Sequence, residues 1–140
     1  MDYQSILNIL QTTAFQLFSE TGGGLFHYGI KETQQQQVNE QTPQILVDPF
    51  NDVLNTDKAN STVRVVIGFL DLDTAGSSAL EQQQTQFRME KLSNQYFSIL
   101  ADIDEFSELT INRNFIHHFT HTQLTGIVCD FQITVPAELC

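Results

Sequence analysis

The chain has 140 residues, 41 % of them hydrophobic, and carries a net charge of −11 from 17 acidic and 6 basic side chains. That length suits one domain, residues 1–140, with its own core. The charge argues against a surface that neutralises nucleic-acid phosphates or docks on anionic membranes. No run approaches the roughly 20 apolar residues of a membrane-spanning helix. Met1-Asp2-Tyr3-Gln4 also lacks the positive start of a signal peptide. The expectation is a protein made and kept in the cytoplasm, with Cys129 and Cys140 reduced.

Tyr3 to Ser19 reads as an amphipathic helix, with Ile6, Leu7, Leu10, Ala14, Leu17 and Phe18 on its apolar stripe. Gly22-Gly23-Gly24 ends it. The triple glycine lacks both a preceding strand and a following Gly-Lys-Ser/Thr, so it reads as a joint and not as a phosphate loop. Leu25 to Ile30 is a short strand, and Lys31 to Thr42 a polar loop or hairpin arm. Gln44 to Phe50 gives a second strand around Ile45-Leu46-Val47, which Pro49 would end or confine to an edge. Asn51 to Ser61 is polar and reads as a loop.

The densest β-branched run follows, Thr62 to Asp71, apolar on both faces at its centre. Ser78-Ala79-Leu80-Glu81 then reads as a capping box, Glu81 reaching back to the Ser78 backbone donor. The helix it opens runs to Ile103, with Phe87, Leu92, Tyr96, Ile99, Leu100 and Ile103 on one stripe. An acidic corner, Asp102 to Glu108, leads into two strands, Leu109 to Phe119 and Leu124 to Pro136. In the second, Ile127, Cys129, Phe131, Ile133 and Val135 alternate with wetter residues, which makes Cys129 a small core residue. Helices and strands are partly segregated along the chain, so the fold class is α+β. The expected form is one mainly antiparallel sheet, an N-terminal helix and a long second helix packed on one face, and a C-terminal β-hairpin.

Chemistry-bearing residues are few. His117, His118 and His121 invite a transition metal, and on a strand His117 and His121 share a face. A third ligand would have to come from elsewhere, and exposed residues at a hairpin end explain the cluster too. Asp71 and Asp73 suit an oxygen-loving cation, but a lone Asp-x-Asp more commonly marks a surface turn. No nucleophile elbow occurs, and no cofactor is called for. Gln34, Gln35, Gln36 and Gln37, with Gln82-Gln83-Gln84, offer uncharged donors and acceptors for wet subunit contacts or for plain solvation.

In this order of helix, strands, long helix and strands, the chain resembles the tail-terminator and head–tail joining (neck) proteins of tailed bacteriophages. The resemblance covers nearly the whole chain and rests on architecture and polarity. It implies a structural, non-enzymatic virion subunit in a homo-oligomeric ring, sixfold or twelvefold, between portal or capsid and tail. Portal and tail proteins would be its partners, and DNA would pass through without specific binding. Under this resemblance Gln34, Gln35, Gln36, Gln37, Ile45 and Val47 are candidate subunit contacts, the last two as an exposed strand. Asp71, Asp73, Asp102, Asp104, Glu105 and Glu108 are candidate channel-facing acids. The alternatives are a metal-dependent enzyme using His117 and His121 or Asp71 and Asp73, and an unrelated small adaptor or binding module.

Overall fold

A computed structural model describes residues 2–29, 42–72, 78–116 and 124–137. The first helix, α1, spans Tyr3–Thr21, and the Asp2 carboxylate caps it by accepting from the Ser5 backbone N–H at 2.8 Å. Ile6, Leu10, Ala14, Leu17 and Phe18 are buried, at the three- and four-residue spacing of one helical face. Leu7, expected on that stripe, is only half-buried. Gly22, at φ 101°, takes the left-handed conformation that stops the helix, and its N–H returns to the Phe18 carbonyl at 3.1 Å.

The second helix, α2, spans Ala79–Leu100 and is about 33 Å long at 1.5 Å per residue. Ser78 caps it by accepting from the Glu81 N–H at 3.2 Å. The return contact differs from a full capping box, because the Ser78 hydroxyl, not its backbone N–H, donates to Glu81 Oε1. The buried stripe is Thr85, Met89, Leu92, Ser93, Tyr96 and Leu100. Phe87 falls off it and is 52 % exposed. The expected end at Ile103 also moves back. A turn follows Leu100, and a short 3-10 helix, Asp104–Phe106, tucks the Phe106 ring into the core.

Six described strands form one sheet: β1 Leu25–Tyr28, β2 Gln44–Val47, β3 Asn51–Asn55, β4 Asn60–Leu72, β5 Asn112–Ile116 and β6 Leu124–Pro136. The order is β1-β2-β4-β6-β5, with β3 also on β4. β2 takes the edge of β4 at Ile67–Leu70 and β3 takes the same edge at Asn60–Arg64. Along its other edge β4 pairs with β6 over all thirteen residues. Only β1 and β2 run parallel, so the sheet is mainly antiparallel and the fold is α+β as expected.

Odd-numbered residues of β4 and β6 face the helices, among them Val63, Val65, Ile67, Phe69, Ile127, Cys129, Phe131 and Ile133, all buried. Phe69 packs edge-on against Tyr96 (5.2 Å) and Phe97 (5.7 Å), and Phe97 against Phe131 (5.9 Å). The Tyr96 hydroxyl donates to the Leu10 carbonyl at 3.0 Å, tying α2 to α1. Gly126 is needed at the centre, since a Cβ there would collide with the Phe69 carbonyl oxygen and press on Met89. The far face has a small apolar cluster of Leu46, Leu70 and Leu124 with Ile116 against it. Elsewhere it is mixed, with Thr62 beside Thr134 and Arg64 beside Asp130 but also Val66 and Val128.

Three expectations need correction. Residues 51–61 are not a loop but a hairpin, β3 turning into β4, with Ala59 in the turn at φ 51°. β2 is not an exposed edge: β1 lies on one side and β4 on the other, and Ile45 and Val47 are fully buried. Pro49 falls after the strand and so ends it. The strand expected from Leu109 starts only at Asn112, and its expected end at Phe119 lies outside the described residues. No helix among the described residues is long and apolar enough to cross a membrane.

Candidate functional site

The acidic residues separate into two kinds. Asp71 is 1 % exposed and faces the helices; its Oδ2 accepts from Arg88 Nη1 at 2.6 Å and its Oδ1 from the Leu72 N–H at 2.7 Å. It is therefore removed from the candidate channel-facing set, because a buried, paired carboxylate pins the end of β4 to α2 instead of presenting charge. Asp102, Asp104, Glu105 and Glu108 are exposed around the 3-10 turn. Asp73, His117, His118, His121 and Gln34, Gln35, Gln36 and Gln37 lie outside the described residues. Among the described residues no group of three His, Cys, Asp or Glu side chains could hold a metal ion.

Cys129 is fully buried, and burial pushes its thiol up to about 12, which leaves it protonated and unreactive. A cleft of ≈ 740 Å³ beside the start of α1 is lined by Asp2, Tyr3, Ser5, Ser61 and Pro136. Its groups are occupied in the fold. Hydrogen bonds from Ser5 hold the Asp2 carboxyl below the usual range, and the Asp52 carboxylate beside Tyr3 pushes that phenol up. Gln44 is fully buried, and among the described residues neither of its side-chain amide atoms nor the Nε2 of His27 on the neighbouring strand finds a hydrogen-bond partner. Burial pushes the His27 pKa down.

No protein-family model matches the chain, and no curated protein matches it either.

Two exposed apolar patches stand out, on opposite edges of the sheet. The first is the edge built by β5 and α2. Phe115 (48 % exposed) meets Phe87 edge-on at 5.9 Å. Gln86 of α2 donates to the Ile116 carbonyl at 3.1 Å, and Arg113 reaches Asn94 Oδ1 at 2.6 Å. Lys91, one turn beyond Phe87, is exposed on the same side of the helix. The second patch is β3, whose five residues are all exposed. Val53 is opposite Thr62 and so on the far face, while Leu54 is opposite Ser61 and on the helix face. An edge strand with an apolar side chain on each face is a template for further pairing.

The patches differ in charge. Lys91 and Arg113 flank the aromatic pair, with Glu90 between them on the helix, whereas the β3 hairpin carries Asp52 and Asp57 against Lys58. Sequence reasoning missed both patches. It assigned β3 to a loop and Phe87 to the core; the aromatic at position 115 alone carried no signal of exposure.

Proposed function

We propose that this chain is a structural subunit of an oligomeric ring at the head–tail junction of a tailed bacteriophage, a tail-terminator or neck component. It joins the portal or capsid side to the tail and leaves a passage for DNA. Its role is non-enzymatic, and its place after synthesis in the host cytoplasm is the virion.

The observation that carries this reading is the pair of unlike apolar patches on opposite edges of one sheet. A subunit with two different, separated contact surfaces assembles head to tail, and head-to-tail contacts close into rings when the rotation between neighbours divides a full turn. The α+β architecture and the excess of acid are in keeping with it. Asp102, Asp104, Glu105 and Glu108 supply exposed negative charge for a wall that DNA passes without sticking.

The test is the mass of the purified chain across micromolar concentrations, with electron microscopy of any assembly. Discrete hexamers or dodecamers with a central hole are expected. Tight binding to duplex DNA at physiological salt, or a monomer carrying stoichiometric metal, would defeat the proposal.

A further inference from the structure

We infer that neighbouring copies join through these two patches, the β5 and α2 edge of one copy against the β3 hairpin of the next, so that the sheet continues from subunit to subunit. This rests on the ring reading above and names the surface that would build it.

Strand direction permits the junction. β3 runs antiparallel to β4, β4 to β6 and β6 to β5, so direction alternates across β3, β4, β6 and β5. A second copy placed head to tail with the same orientation sets its β3 antiparallel to the first copy's β5. Side-chain faces agree as well. Leu54 and Phe115 both lie on the helix face, while Val53 and Ile116 both lie on the far face. With Leu54 opposite Phe115, the antiparallel register sets Val53 opposite Ile116, an apolar pair on each face.

Heights along the strands differ. Leu54 sits level with Ser61 of β4, whereas Phe115 sits level with Ile127 and, through it, Phe69. Joined edges therefore displace each subunit along its neighbour's strands, an offset that a closed ring takes up as strand tilt, as barrels do.

Charge selects this junction over self-pairing. The β3 hairpin is net negative, with Asp52 and Asp57 against Lys58, and the β5 and α2 edge is net positive, with Lys91 and Arg113 against Glu90, so like edges repel. The mixed junction brings acid to base. The partner it fits is a second copy of this chain, bound heterologously.

Leu54→Glu and Phe115→Glu test it, because both side chains are about half exposed and neither change should disturb the fold, as circular dichroism and thermal unfolding would verify. Wild-type chain is expected to run as a discrete oligomer and each variant at the monomer mass. An equimolar mixture of the two is expected to give a dimer, since one variant keeps an intact β5 edge and the other an intact β3 edge. Variants that keep the wild-type mass would overturn this interface and leave the ring standing. In the absence of wild-type assembly, a bis-maleimide applied to concentrated Leu54→Cys, Phe115→Cys protein in a Cys140→Ser background decides. A ladder of linked oligomers supports the junction. No ladder overturns the junction.

Discussion

Between Ile67 and Asp71, β4 is buried on both faces; between Asn60 and Arg64 alternate residues reach towards solvent, and β3 beside them is exposed throughout. The upper half is flanked by β2, β6 and the aromatic cluster under α2, and the lower half by a hairpin with nothing beyond it among the described residues. One strand thus serves two ends. Its upper half holds the monomer together, and its lower half leaves apolar surface for another molecule to cover.

The sharpest way to break that contrast is truncation at each end. Phe69→Ala removes a fully buried ring and is expected to cost about 4 kcal/mol in urea unfolding. Val53→Ala, at 73 % exposure, should stay within about 0.5 kcal/mol. Equal effects at the two sites would erase the distinction. Arg88→Ala strips the partner from the buried Asp71 and is expected to cost about 2 kcal/mol, below a fully buried pair because Arg88 is half exposed.

Gln44→Leu works in the opposite direction. It deletes a buried amide that has no hydrogen bond among the described residues and is expected to raise stability by about 1 kcal/mol. A loss instead would mean that the amide is used. The smallest effect concerns pH. The unfolded Cys129 thiol ionises near pH 8.5, roughly, while the folded one holds its proton up to about 12. Its contribution is therefore complete below the first value and falls as pH rises above it. Wild-type stability should drop faster than that of Cys129→Val between those limits, as paired denaturant titrations would read.

Much of the fold was legible because α1, β4, α2 and β6 each bury one periodic set of side chains, from Ile6 to Phe18 or from Ile127 to Val135. The strand β3 was not. Asn51-Asp52-Val53-Leu54-Asn55 buries none of its residues, so pairing with β4 alone holds it and no hydrophobic period marks it. Ile45 and Val47 misled for a related reason. Their run is short because β2 is short, and although β1 was legible as a strand, the parallel pairing that sets it on the outer side of β2 leaves no local signature. The Asp71 carboxylate meets an arginine 17 residues later on another element, a contact that spacing does not encode. Phe87 lies five residues before Leu92, about 140° round the helix from it, so it falls off the buried stripe and points to β5 instead.

The ladder between β4 and β6 has a consequence for how the chain is made. Its pairs run from Leu72 with Leu124 to Asn60 with Pro136, so its members are separated by 52 to 76 positions, with all of α2 between them. Contacts that distant are slow to form, because a long loop must close before they stabilise anything. During synthesis Val63 to Leu70 emerges early and can take β3 and β2 on one edge, while its other edge waits for residues 124–136. For that interval the most apolar strand of the molecule is a bare edge. The nascent chain is then most open to mispairing, and a chaperone that shields extended apolar segments would act there.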